Sequence, residues 1–190
     1  MTGARHIAFL RAINVGGHTV KMERLRQFFT ALGYANVETF IASGNVIFDA
    51  PVQNARAIEE QIEGHLRESL GYAVATFVRT PAELAAIAQY EPFAAADLEA
   101  DGNALYIAFL LAAPSDEAQP ALLAARTPTD DFHFHGRELY WLCRTRVSES
   151  VFSGARIERM LGMPVTMRNA TTVRKLAAKY AAPQVSGVKG

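Results

Sequence analysis

Apolar and polar positions alternate from the start of the chain. Over residues 5–13, Ile7, Phe9 and Ile13 share one face and Ala8, Leu10 and Ala12 the other, which predicts a strand covered on both sides. Only Arg11 interrupts the first face. Met22, Leu25, Phe29 and Leu32 then recur at helical spacing up to Gly33, a residue suited to stopping a helix. Two short strands over 36–42 and 45–50 read as a hairpin turned at Ser43-Gly44. Asn54 can cap a second helix with Ile58, Ile62, Leu66 and Leu70 on one face, closed by Gly71, and residues 73–78 supply a fourth strand. Strand, helix, strand, strand, helix, strand is the order of a ferredoxin-like unit.

Thr80-Pro81-Ala82-Glu83 has the form of a capping box with proline at the first helical position, so a connector helix is expected to about Tyr90. Beyond an acidic loop over 94–102, residues 104–112 form a strand apolar on both faces, and a helix over 117–126 follows, its start blurred by Pro120. A hairpin over 131–135 and 138–144 turns at Gly136-Arg137. Ser153 opens a helix with Ile157, Met160 and Leu161, stopped by Gly162, before a last strand over 164–168. A final helix carries Val173, Leu176, Ala177 and Tyr180 and ends before Pro183.

The expected class is therefore α+β, with two ferredoxin-like (βαββαβ) units in tandem and a C-terminal helix. The first unit spans 1–79, the connector 80–103, the second unit and last helix 104–182, and a disordered tail 183–190. No sequence repeat stands out, so the duplication rests on element order. A ferredoxin-like unit has helices on one sheet face only, and strands apolar on both faces need a second cover, from the other half or from a homodimer partner.

Half of the 190 residues are hydrophobic, enough for a sizeable core. Met1 to Arg5 lead directly into a strand without the apolar run of a signal peptide or membrane span, so the expected location is the cytoplasm, without a membrane partner. The single cysteine, Cys143, fits a reducing compartment. Formal net charge is zero, but Arg5, Arg11, Lys21, Arg24 and Arg26 face only Glu23 near the start. Near the end Arg156, Arg159, Arg168, Arg174, Lys175 and Lys179 face only Glu158, whereas the stretch from Glu83 to Asp131 is acidic. This balance argues against bulk non-specific nucleic-acid binding and leaves room for a local anion site.

Three stretches, Arg11 to Met22, Ile41-Ala42-Ser43-Gly44-Asn45-Val46 and Thr166 to Leu176, resemble the conserved hypothetical family labelled domain of unknown function 1697. That resemblance spans nearly the whole chain and implies a pair of ferredoxin-like units with no established activity. Ala170 and Thr171 stand where the family's last motif usually has an aromatic residue and an asparagine.

In the expected topology the end of the first strand lies beside the first hairpin turn, which joins Asn14, Gly16, Gly17 and Lys21 to Ser43, Gly44 and Asn45. Glycines let backbone N–H groups turn toward an anion, the next helix offers its positive end, and Lys21 or Arg11 can supply charge. A phosphate- or carboxylate-bearing ligand suits such an edge. Equally, Gly16-Gly17 can simply turn the chain, Arg11 can pair with a buried acid and Asn45 can hold the hairpin. The spacing is not that of a nucleotide-hydrolysing P-loop. Arg168, Asn169, Thr172 and Lys175 repeat the arrangement before the last helix, where Asn169 or Thr171 is expected to cap. His133 and His135 share a strand face, with no third ligand nearby except Asp130 or Asp131, so they read as an exposed face and no metal or cofactor is expected. No nucleophile motif is present and no catalytic residue is assigned. The alternative function is a nucleic-acid or protein interaction module using the basic ends, and Phe9 and Phe48 occupy positions where an RNA-recognition module stacks bases.

Overall fold

A computed structural model describes residues 3–14 and 19–181. Among these, two four-stranded antiparallel sheets and seven helices form a mixed α+β fold. The first sheet contains β1 (Ala4–Leu10), β2 (Ala35–Phe40), β3 (Asn45–Ala50) and β4 (Thr76–Arg79), in the order β2-β3-β1-β4. Its helices are α1 (Met22–Ala31) and α2 (Ala55–Leu70). After α3 (Pro81–Gln89) and the one-turn α4 (Ala95–Glu99), the second sheet takes β5 (Ala104–Leu110), β6 (Asp130–His135), β7 (Glu138–Cys143) and β8 (Val165–Asn169). Its order, β6-β7-β5-β8, repeats that of the first; α5 (Ala118–Ala124) and α6 (Gly154–Leu161) accompany it and α7 (Ala170–Tyr180) follows.

Local chemistry accounts for many of these boundaries. Asn54 accepts from the amides of Arg56 and Ala57 at the start of α2, and Gly71 ends that helix in the left-handed region. The Thr80–Glu83 capping box closes reciprocally at the start of α3. Pro120 falls in the first turn of α5, where its missing N–H has no intrahelical partner to lose, so the helix forms, although shorter than 117–126. The fourth strand occupies 76–79 rather than 73–78, because pairing with β1 begins at Thr76 while Val74 is buried by packing alone. The acidic loop over 94–102 contains α4, which the charge pattern does not announce.

Three apolar clusters hold the molecule together. α1 and α2 bury Leu25, Phe29, Ile58 and Ile62 against Ala8, Leu10, Val46 and Phe48 of the first sheet. α5 and α6 bury Leu122, Ile157 and Leu161 against Ala108, Leu110, Leu139 and Trp141 of the second. Between the sheets, Ile7, Phe9, Ile47 and Phe77 meet Ile107, Phe109 and Tyr140, joined by Leu84 and Ile87 of α3 and Val173 and Leu176 of α7. The Phe9 and Phe109 rings stack at 3.9 Å in this middle cluster, where full burial of each ring contributes about 1.5–3 kcal/mol. Each half thus covers the second apolar face of the other.

The middle cluster also exposes a repeat in the sequence. Ile7-Ala8-Phe9-Leu10 of β1 recurs as Ile107-Ala108-Phe109-Leu110 of β5, too short to stand out in the sequence alone. The ladders match as well: Ile7 pairs with Arg79 as Ile107 pairs with Arg168, and Phe9 pairs with Asn45 as Phe109 pairs with Glu138.

Candidate functional site

β4 ends on a buried arginine, Arg79, and β8 carries another, Arg168, one residue before its end; each crosses to the other half of the molecule. Arg79 donates from Nε to Glu138 Oε1 at 2.7 Å, from Nη1 to the Val78 carbonyl at 2.9 Å, and from Nη2 to the carbonyls of Leu110 and Arg137 at 3.0 and 3.2 Å. Arg168 donates from Nε to Asn45 Oδ1 at 2.7 Å and from Nη1 to the Met167 carbonyl and Thr166 Oγ1 at 2.8 and 2.9 Å. Its Nη2 reaches the carbonyls of Ser43 and Leu10 at 2.7 and 3.2 Å. The guanidinium carbons lie 5.5 Å from the Phe109 ring and 5.7 Å from the Phe9 ring respectively. The two clamps are the same device built twice.

They differ in one atom's charge. Arg79 is neutralised by Glu138, whose side chain is also buried, whereas the equivalent position opposite Arg168 holds the uncharged Asn45. Burial lowers the Arg79 pKa, with Glu138 opposing it, and burial alone pulls Arg168 down to about 10. All five Arg168 N–H groups are engaged by neutral acceptors, so its charge reaches the surroundings as a field rather than through a free donor.

Around Arg168 the end of β1 and the β2–β3 turn are stitched together. The Leu10 amide donates to the Gly44 carbonyl at 2.8 Å, and Asn45 Nδ2 donates to the Phe40 carbonyl and to Ser43 Oγ. Gly44 has φ +72°, and a Cβ there would lie 2.7 Å from Ile13 Cγ2, so both conformation and space require glycine. Asn14 Nδ2 donates to the Ala42 carbonyl while its Oδ1 accepts from the Val20 amide at 2.7 Å, tying the approach to α1 to the same turn. α1 opens on Lys21 in an extended conformation with no side-chain cap, at the positive end of the helix, where Glu23 stands in the first turn. The Lys21 side chain is exposed and makes no hydrogen bond or ion pair among the described residues.

Arg11 is committed elsewhere. It forms a two-point ion pair with Glu158 of α6, which raises the Arg11 pKa, and Glu158 Oε1 also accepts from the Val165 amide at 2.9 Å. Its exposed side borders a cleft with Ala155, Arg159, Met163 and Pro164.

Of the residues expected at the site, Asn14, Lys21, Ser43, Gly44, Asn45 and Arg168 share this edge; Gly16 and Gly17 lie outside the described residues. Asn169 caps α7 through the Thr171 amide at 2.8 Å. Thr172 and Lys175 continue along that helix, and neither side chain makes a hydrogen bond to the edge among the described residues. His133 and His135 do not form a bare exposed face: His133 Nε2 meets Tyr90 Oη at 2.8 Å and His135 stacks on the Tyr90 ring at 4.0 Å. No group of three metal-ligating side chains occurs among the described residues. Phe9 and Phe48 are fully buried, so neither can stack on a base. The basic ends are paired in part, Arg5 with Glu38 and Asp49, Arg174 with Glu91, and Lys179 with Glu38. Glu138 and Arg79 escape a reading by local motif; what points to them is the repeated Ile-Ala-Phe-Leu together with the arginine paired to its isoleucine in each half, Arg79 and Arg168.

No described helix is long and apolar enough to cross a membrane. No curated protein matches the chain. Among solved structures, a conserved bacterial protein from Streptococcus pneumoniae is similar in fold, at 24% identity and a TM-score of 0.70, with 92% of this chain and 97% of that one covered. The model of the family described as protein of unknown function (DUF1697) matches residues 3–140, and the chain belongs to that family.

Proposed function

We propose that this chain is a cytoplasmic tandem of two ferredoxin-like units that binds a small phosphate- or carboxylate-bearing molecule at the edge formed by the end of β1, the β2–β3 turn and the start of α1. The repeated strand order, β2-β3-β1-β4 and β6-β7-β5-β8, supports the ferredoxin-like reading. One observation carries the ligand reading: Arg168 is buried with no carboxylate, while its counterpart Arg79 has Glu138. An unneutralised charge in a low-dielectric setting raises the potential at the edge around it, the β2–β3 turn, to which Asn14 ties the approach to α1 and Lys21. An arriving anion supplies the missing charge and can pair with Lys21, which has no ion pair among the described residues.

Thermal-shift measurements at low salt with inorganic phosphate, pyrophosphate, acetate and citrate test this. A ligand at one hundred times its dissociation constant adds about 2.7 kcal/mol, which for a chain of this size raises Tm by roughly 5–10 °C. The rise is expected to vanish in Lys21→Glu and to survive in Arg146→Glu, a substitution at a well-exposed arginine in the β7–α6 connection. No rise with any probe, or equal loss in both variants, refutes the site. Binding of short RNA that weakens steeply with salt and depends on many basic residues would instead favour a nucleic-acid module.

A further inference from the structure

Two clefts adjoin where the halves meet. One, of about 550 Å³, runs along α6 and is bordered by Ala155, Arg159, Met163 and Pro164. The other, of about 220 Å³, lies beside α2 and is bordered by Arg67, Val74, Ala75 and Pro164. Pro164 borders both, so together they make one groove with a wall from each half and an apolar floor. Its size lies within the ~300–1,000 Å³ that small-molecule sites occupy, and the boundary between two units is a common place for one.

The acids of this groove are already engaged. Glu63 accepts from the Thr76 amide and Glu158 from the Val165 amide, both at 2.9 Å. These are matched contacts, because Thr76 pairs with Leu10 and Val165 with Leu110. Arg56 lies 3.6 Å from the other Glu63 oxygen, and Arg11 pairs with Glu158. The remaining cations are not engaged: Arg67 and Arg159 are exposed, and neither side chain makes a hydrogen bond or ion pair among the described residues. Glu63 and Arg67 have the four-residue spacing at which an acid and a base pair on a helix, yet Glu63 turns to β4 and to Arg56 instead. Each open arginine stands in the last turn of its helix, where the dipole favours a cation. The dipole accounts for a charge at each helix end; it does not account for two arginines, one from each half, left open beside one apolar groove.

We infer that this groove binds an elongated small molecule with a carboxylate at each end of an apolar body, a straight-chain dicarboxylate, with Arg67 and Arg159 each taking one end and Pro164 lying under the body. A guanidinium meets a carboxylate with two parallel N–H donors, which suits arginine to both positions. The site is separate from the first edge and does not depend on it.

Titration calorimetry with adipate, suberate and sebacate, against hexanoate and octanoate, tests this. The best-fitting diacid is expected to bind about tenfold more tightly than either monoacid, the worth of one charge-assisted contact. Arg67→Gln and Arg159→Gln, both at exposed side chains, are each expected to bring diacid and monoacid to parity while Tm holds. Ala155→Trp, also exposed, fills the groove without removing a charge and is expected to abolish binding of both classes. Lys21→Glu is expected to leave the diacid preference intact, which separates this groove from the first edge. Absence of diacid binding, equal binding of diacid and monoacid, a preference that survives in either arginine variant, or its loss in Lys21→Glu overturns the inference.

Discussion

Deleting the two buried arginines one at a time separates the worth of charge from the worth of hydrogen bonds. Arg79→Met leaves Glu138 buried without its cation and strips a donor from the carbonyls of Val78, Leu110 and Arg137. Removing one partner of a buried ion pair costs about 3–5 kcal/mol. Arg168→Met also removes six hydrogen bonds, each with a net value near ~1 kcal/mol. However, it also lifts out a charge that no acid neutralises, a relief worth several kcal/mol. The expected deficits are thus about 3–5 kcal/mol for Arg79→Met and about 1–2 kcal/mol for Arg168→Met. At two to four degrees per kcal/mol, Arg79→Met lowers Tm by roughly 6–20 °C. Guanidinium denaturation read by Trp141 fluorescence gives both numbers, since that side chain is buried in the second half. Arg79→Met/Glu138→Leu is expected to recover at least ~2 kcal/mol of the single variant's loss, because the stranded carboxylate goes with its partner. Equal deficits for the two single variants, with no recovery in the double one, would refute the idea that charge distinguishes the two edges.

Two further outcomes follow from the same geometry. Gly44→Ala forces a side chain into left-handed backbone and to within 2.7 Å of Ile13 Cγ2; the expected loss is ~2 kcal/mol or more, read as a lower denaturation midpoint, and an unchanged midpoint would remove the steric reason for glycine. Glu59 is fully buried on α2, accepts from the Val78 amide at 2.9 Å, and has its pKa raised by burial. Its protonated form is favoured by folding, so this contribution is fully present below the unfolded carboxyl value and is lost as pH rises through the raised one. Glu59→Gln keeps an acceptor for Val78 and cannot ionise, so its stability relative to wild type should climb between pH 4.5 and 7.5; a constant difference would contradict the raised pKa.

Features fixed by near neighbours were legible in the sequence, and those fixed by docking were not. The capping box at Thr80 and the stop at Gly71 are short-range chemistry, and both form at the residues where the pattern puts them. The first strand's two apolar faces demand two covers, and the tertiary packing supplies the second through Phe109 and its neighbours. Arg11 and Glu158 are 147 positions apart, and Arg168 and Asn45 are 123 apart, distances over which no periodicity speaks. The apolar pattern starts the fourth strand at residue 73 whereas its pairing starts at Thr76, because buried apolar residues mark a core whether or not their backbone is paired. Within the candidate edge, residue types identified Asn14, Lys21 and the Ser43 to Asn45 turn. The reason Asn45 matters appears only beside Glu138 in the same position of the other half.

That internal comparison also supplies the most direct test. Amide chemical shifts recorded by NMR during a titration with inorganic phosphate at low salt report every backbone position at once. An anion site at the first edge predicts shifts at Asn14, Val20 to Met22 and Ser43 to Asn45, with Leu110, Arg137 and Glu138 unmoved, since there Glu138 already neutralises the buried arginine. Equal shifts at both edges, or shifts confined to exposed lysines and arginines elsewhere, would contradict it.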